Sequence, residues 1–361
     1  MDYHRVEKSL QAVIDATIPL SPAQRERIRQ VCEGVLLAGS SQLSWIARWL
    51  AQTSQKDSRI KWLARLLEAD YLSQEYVYAP FAKQILKHYA PAALHLVMDR
   101  TVWREHETDL VTLSLNFRQR ALPIVWEFMS TGMSSAEQQK ALLKRALPLL
   151  PAGIPVIFHG DNEFGSVRLM QSLRDLGWDF MVGQSSKNYY RFGPYSEWQC
   201  FGDLAVTRRR SVYLANVEVT KDHRYGLLNV FAFYKPRFGK KHRKQDIIYC
   251  ATSLPIAPTL RRIGQRRWGV ECQFRDLKSS GWQIQKCDLS HPKRREGLLC
   301  VLNLCYLWTT CLGRWLCKSS QRHLVDAKAQ RQLSLFRIGW DWLVNQYRTE
   351  RDCPVLTTLY Q

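Results

Sequence analysis

Glu271 lies in the stretch RRWGVECQFRDLKSSGW, residues 266–282, beside Arg266, Arg267, Arg275 and Lys278. On a helix, steps of three, four and seven residues stay on one face. Arg267, Glu271, Arg275 and Lys278 therefore share a stripe, and Ile263, Val270, Phe274 and Leu277 form an adjoining apolar stripe that would pack inward. Two readings stay open at this point. In one, the stripe is a solvated helix face held by i,i+4 ion pairs, Arg267 with Glu271 and Glu271 with Arg275. In the other, Glu271 is a working carboxylate whose ionised form its cationic neighbours favour.

Two further acids stand where strands should end: LVMD closes on Asp99 and VIFHGD on Asp161. Carboxylates at strand ends of an α/β sheet face the crevice where ligands usually bind. Each taken singly also suits a loop or a helix cap. Three acids on separate elements share a chemistry with Mg²⁺, which prefers oxygen ligands and takes few carboxylates from the protein. Two such ions roughly 3.5–4 Å apart stabilise both the attacking and the leaving oxygen of a phosphodiester displacement. Composition points the same way. The 361 residues include 52 Lys and Arg against 32 Asp and Glu, a net charge of +20. An excess of that size implies a polyanionic partner, with DNA, RNA or an acidic membrane surface as the candidates.

The elements that must position these residues follow from periodicity. Residues 1–88 read as helical throughout, and the segment from Ser41 to Leu72 as two helices around a polar turn at Thr53–Ser58. A helix-turn-helix DNA reader and a plain helical hairpin fit that spacing equally. From residue 89 to 186 the pattern is strand, strand, strand, helix, strand, helix, strand, a mixed α/β sheet. A short strand should end at Asp99, two more should meet in a turn near Arg118–Arg120, and DFMVGQ should be the last strand. Ser134 or Ser135 should cap the helix of SSAEQQKALLKRALPLL. Residues 187–255 form a basic, β-rich insertion. TRRRS supplies Arg208, Arg209 and Arg210, and KPRFGKKHRK supplies Lys240, Lys241, Arg243 and Lys244. With the aromatics Tyr189, Tyr190, Phe231, Phe233, Tyr234 and Phe238 between them, these are the expected DNA contacts. Residues 256–320 are helical and carry Glu271, and 321–361 are a helical tail.

The ten cysteines include no C-x-x-C pair, so a structural zinc site is not expected. Without a signal peptide they indicate a reducing compartment, and a cytoplasmic protein is the expectation. The run GLLCVLNLCYLWTTCLGRWL, residues 297–316, is long enough to span a bilayer, but Asn303, two threonines and Arg314 interrupt it. It reads as a buried core helix, and no membrane partner is expected.

Taken in order, LVMDRTVW, VIFHGDNEFGS and RRWGVECQFRDLK resemble the three acidic motifs of bacterial DDE transposases. The nearest group is the insertion-sequence-four family, cut-and-paste transposases with a ribonuclease-H-like core. The resemblance runs from about residue 35 to 345. Its third motif has tyrosine, arginine, glutamate and lysine at fixed spacing. Arg267, Glu271 and Lys278 match, whereas Gly264 stands at the tyrosine position, and Asn162 stands where the second motif often has arginine.

The resemblance implies a fold: a ribonuclease-H-like mixed sheet with a β-rich insertion, an all-helical N-terminal domain and a helical C-terminal region. It implies that Asp99, Asp161 and Glu271 are catalytic and hold two Mg²⁺ ions, with Mn²⁺ able to substitute. Glu163 is a rival ligand to Asp161. Arg267, Lys278 and Arg275 would grip phosphates of double-stranded DNA, both the terminal repeats and the target. The implied reaction nicks the 3′ ends, forms and resolves hairpin ends, and transfers the strands within a homodimer. An aromatic of the insertion, with Trp198 and the cluster around Phe231 as candidates, would stack on an extruded base. Two alternatives remain: a nuclease of the same fold that cuts without joining, and a transposase-derived DNA-binding protein without activity.

Overall fold

The structure is a computed structural model that describes residues 3–50, 54–89, 91–104, 107–118, 120–234 and 247–355. The strand β1 (Tyr3–Arg5) leads into helices α1 (Val6–Thr17), α2 (Pro22–Ala38), α3 (Leu43–Ile46), α4 (Lys56–Leu67) and α5 (Ala79–His88). Next come β2 (Leu94–Arg104), β3 (Thr108–Phe117), β4 (Arg120–Ser130), α6 (Ala136–Ala146), β5 (Val156–Gly160), α7 (Val167–Asp175) and β6 (Asp179–Gln184). Five strands follow: β7 (Tyr189–Arg191), β8 (Gln199–Cys200), β9 (Val212–Val219), β10 (Tyr225–Tyr234) and β11 (Ile247–Thr252). The chain continues through α8 (Leu260–Gly264), α9 (Trp268–Leu277), α10 (Pro292–Lys318), α11 (Leu335–Arg348) and β12 (Asp352–Pro354).

Two compact units emerge. One holds the described residues of Pro91–Pro148 and Ala152–Cys272, the other those of Met1–Ala90, Leu149–Pro151 and Gln273–Gln361. The division falls inside α9.

The first unit is a mixed ten-stranded sheet in the order β4-β3-β2-β5-β6-β11-β10-β9-β7-β8. The pairs β2–β5 and β5–β6 are parallel, and the other pairings are antiparallel. β3 (TDLVTLSLNF) is buried at every position, as expected of an inner strand covered on both faces. α6 packs on β3 and β4, and α7 on β6. Ser135 caps α6 in a reciprocal box with Gln138, which satisfies two backbone donors that a helix start leaves open.

The fold departs from the sequence expectation at three places. β2 does not end at Asp99 but runs on to Arg104, because the antiparallel β3 continues to pair with it after its parallel partner β5 stops. DFMVGQ is not the last strand: β11 pairs with it, Tyr249 opposite Gln184 through Thr252 opposite Met181, so the basic segment extends the same sheet. Phe231 and Phe233 are not a nucleic-acid surface. They are buried beneath α8, packed with Met181, Cys250 and Leu260. Tyr190 is also buried, whereas Tyr189 is exposed.

The second unit is built around α10, the run weighed as a membrane span. It is long and apolar enough to cross a bilayer, and 94% of its apolar window is buried inside the protein. α11 crosses it where Gly313 meets Gly339. A Cβ on either glycine would overlap the other helix's backbone, at Leu335 and Thr309 respectively. The chain ends are not wholly helical. β1 pairs antiparallel with β12, Tyr3 opposite Pro354 and Arg5 opposite Asp352. α3 is four residues long, so the segment from Ser41 to Leu72 does not hold two comparable helices.

Candidate active site

Asp99 lies in mid-β2, opposite Thr112 of β3 and two residues past the last parallel pair, Val97 with His159. It is 8% exposed. Its Oδ1 accepts the backbone N–H of Arg100 at 2.8 Å. Asp161 follows β5 and opens a short 3₁₀ turn, Asn162–Phe164, with Oδ1 accepting the Glu163 N–H at 2.9 Å. That turn folds directly against β6. A Cβ at Gly183 would overlap Asn162 and the Asp161 carbonyl carbon, so the glycine is what lets the acid-bearing loop sit there.

Glu271 stands in the first turn of α9, where a negative charge meets the favourable end of the helix dipole. Close packing sets that helix on the sheet. A Cβ at Gly269 would lie 2.6 Å from Asn116 Nδ2, and the same nitrogen donates to the Arg266 carbonyl at 2.5 Å.

Arg267, in the 3₁₀ turn before α9, draws two of the acids together. Its Nη1 donates to Asp99 Oδ2 at 3.1 Å and its Nη2 to Glu271 Oε1 at 2.5 Å. The i,i+4 pair of the solvated-helix reading therefore exists, yet its arginine is only 26% exposed and holds a second partner on the sheet. Burial pushes the Asp99 carboxyl up to about 7. Arg267 pulls it down, and the charges of Asp161 and then Glu271 push it up again. All three acids thus share one electrostatic neighbourhood.

Glu163, the rival ligand, is engaged elsewhere. Its Oε2 accepts Arg100 Nε at 2.8 Å, and its Oε1 accepts the backbone N–H and hydroxyl of Ser134 at 2.8 and 2.6 Å. Behind the acids, His95 Nδ1 and His159 Nε2 share a hydrogen bond of 2.9 Å. Burial and then the nearby Arg266 lower His95 to about 4, and burial and then His95 lower His159, so both imidazoles are neutral at pH 7. Sequence reasoning passed over the histidine pair and the Arg100 contacts. The visible signal was histidine or arginine within four residues of each strand-borne aspartate.

Among the described residues no group of three or more His, Cys, Asp or Glu side chains stands ready as a metal cage. The donor set still suits a hard divalent cation. It consists of carboxylate oxygens, and Asp99 is buried near like charges that Arg267 and the Arg100 backbone N–H partly offset.

The remaining expected contacts fall in both units. Arg208, Arg209 and Arg210 are exposed in the turn before β9, with the Arg208 guanidinium 5.6 Å from the centre of the Tyr234 ring. Arg275, exposed on α9, and Lys278, half-buried just past it, belong to the helical unit. Trp198 is covered by the Arg191 guanidinium at 4.8 Å. Gly264, at the tyrosine position, has an ordinary helical backbone, but a Cβ there would come within 2.9 Å of the Met181 sulfur. Lys240, Lys241, Arg243, Lys244 and Phe238 lie outside the described residues.

A family model described as "Transposase DDE domain" matches residues 91–308. No curated protein matches the chain. Among solved structures the chain is similar to "Cryo-EM structure of piggyBac transposase synaptic complex with hairpin DNA (SNHP)". The identity is 14% and the TM-score 0.47, with 96% of this chain and 80% of that one covered.

Proposed function

We propose, from the premise that this chain belongs to the transposase DDE domain family, that it cuts and joins the ends of an insertion sequence in the manner of the insertion-sequence-four group. The reading includes 3′-end nicking, hairpin formation and resolution, and strand transfer to target DNA by a homodimer. One observation carries it: Asp99 and Asp161 each stand two residues past the paired Val97 and His159 of adjacent parallel strands, and Asp99 shares one guanidinium with Glu271. The strand order β4-β3-β2-β5-β6, with its antiparallel hairpins and parallel centre, supports a ribonuclease-H-like core.

In this reading Asp99, Asp161 and Glu271 hold two Mg²⁺ ions. When bound, the ions would supply charge stabilisation to both the attacking and the leaving oxygen of the displaced phosphodiester. The protein's own groups do the rest. Backbone N–H groups of Arg100 and Glu163 fix one oxygen each of Asp99 and Asp161. Arg267 spans Asp99 and Glu271 and can pass its donors to a DNA phosphate. Arg208, Arg209 and Arg210 hold the polyanion outside the site by counterion release.

The test is Mg²⁺-dependent cleavage of DNA bearing the element's ends by Asp99→Ala, Asp161→Ala and Glu271→Ala. Each should lose cleavage and keep DNA binding. Near-wild-type cleavage by any one of them removes that residue from the site. A strand-transfer assay with pre-cut ends separates joining from cutting alone.

A further inference from the structure

We infer that Arg100 and Glu163 form a single brace that sets how Asp99 and Asp161 are presented, which makes both of them positioning residues of the acidic site. The inference rests on the reading of that site just given.

Each member of this ion pair sits next to one of the two acids and lends it a backbone donor. Arg100 follows Asp99 in β2, and its N–H binds Asp99 Oδ1 at 2.8 Å. Glu163 comes two residues after Asp161, and its N–H binds Asp161 Oδ1 at 2.9 Å. Their side chains then close the loop, Arg100 Nε to Glu163 Oε2 at 2.8 Å. The two peptide planes that hold the acids are thereby tied together through one salt bridge between residues 63 apart in the chain.

The brace is itself anchored. Arg100 Nη1 also donates to Asp109 Oδ2 of β3 at 2.5 Å, and Asp109 is fully enclosed. Gly132 N–H reaches the same oxygen at 3.2 Å. Ser134, just before the cap of α6, gives Glu163 both its N–H and its hydroxyl. Gln139 of α6 holds Ser134 in turn, through Nε2 to its Oγ at 3.0 Å. Exposed ion pairs contribute little, but here the Glu163 side chain is 9% exposed and Asp109 0%. Removing Arg100 would leave the Glu163 and Asp109 carboxylates without their cation, and removing either partner would untie the turn carrying Asp161 from β2. Groups one step behind metal ligands commonly change metal affinity about 10–100-fold when mutated. That is the effect expected of this pair.

The experiment measures Mn²⁺ binding to the full chain without DNA, from the electron paramagnetic resonance signal of free Mn²⁺, alongside thermal melts. Glu163→Gln and Arg100→Met should each weaken Mn²⁺ binding about tenfold. The double variant should be no weaker than the worse single, because the two act as one unit. Affinities within about twofold of wild type in folded variants, or effects that simply add in the double variant, would overturn the brace. Should these variants not fold, Ser134→Ala, which takes one hydroxyl from Glu163, decides by the same measurement. A weakening of about threefold supports the brace, and none overturns it. Asp99→Ala separates the two levels of inference. If it leaves Mn²⁺ binding unchanged, the metal-site reading falls and the brace with it. If it abolishes binding while Glu163→Gln and Arg100→Met retain it, the brace alone falls.

Discussion

Arg267 and Asp99 are 168 residues apart in the chain and meet at 3.1 Å, with the same guanidinium also holding Glu271. This contact answers why one glutamate sits among arginines and lysines. Two carboxylates brought together on sheet and helix need a positive charge between them, and Arg267 provides it. The geometry gives its first prediction directly.

Arg267→Ala should lower the stability of the metal-free protein by about 1–3 kcal/mol, the scale of charged hydrogen bonds removed at a half-buried site. Mg²⁺ should then raise its melting temperature by more than it raises that of wild type, because the acids have lost their internal counter-charge. Thermal melts across a Mg²⁺ titration check both statements. An equal Mg²⁺ shift in the two proteins would show that Arg267 does not offset the acids.

Arg209 and Arg210 are exposed in the turn before β9, on a chain with net charge +20. Replacing both with alanine should weaken DNA binding similarly for all sequences. The slope of log affinity against log salt should flatten by about 0.9 for each DNA phosphate that is no longer neutralised. Binding measured at several salt concentrations tests this, and an unchanged slope would place the DNA elsewhere.

Gly313 and Gly339 let α10 and α11 cross with backbones in direct contact. Gly313→Ala should cost about 3 kcal/mol, since the added methyl meets the Leu335 carbonyl rather than a side chain that can swing away. Urea denaturation gives the value. A cost near zero would mean the helices part freely.

Asp326 supplies the pH prediction. Its Oδ2 accepts the N–H groups of Gln332 at 2.8 Å and Leu333 at 3.2 Å, with Arg322 at 3.4 Å, and these hold its carboxyl below the usual carboxylate range. A lowered carboxyl contributes stability above its unfolded pKa of about 3.9 and loses it as pH falls through the folded value. Asp326→Asn should therefore be less stable than wild type at pH 7, and the gap should close as the pH falls below about 4. Denaturation curves at both pH values decide it. A gap independent of pH would mean the carboxylate charge plays no part.

Much of this molecule was legible in the one-dimensional pattern because the deciding forces act within a few residues. The strand-forming runs on either side of Arg118–Arg120 predicted a hairpin there, and β3 and β4 pair up to Phe117 opposite Arg120. Ser134 or Ser135 was the expected cap of α6, and Ser135 is the one that caps it, in a box with Gln138. The apolar run at 297–316 read as a core helix and is buried as one. The three acids were identifiable as candidates by residue type and by their places beside strands and a cationic helix.

What tertiary structure alone decided depends on register and on contacts across long stretches of chain, which local periodicity does not encode. Asp99 lies within β2 rather than at its end because β3 goes on pairing after β5 has stopped. Phe231 and Phe233, aromatic in a basic segment, became core because β10 turns them under α8. Glu163, by type an equal of Asp161, stands within the 3₁₀ turn and is bound to Arg100 and Ser134, partners that lie 63 and 29 residues away in the chain. Charge and spacing named the groups able to do chemistry. The packing of strand against strand and helix against sheet selected which of them stand together.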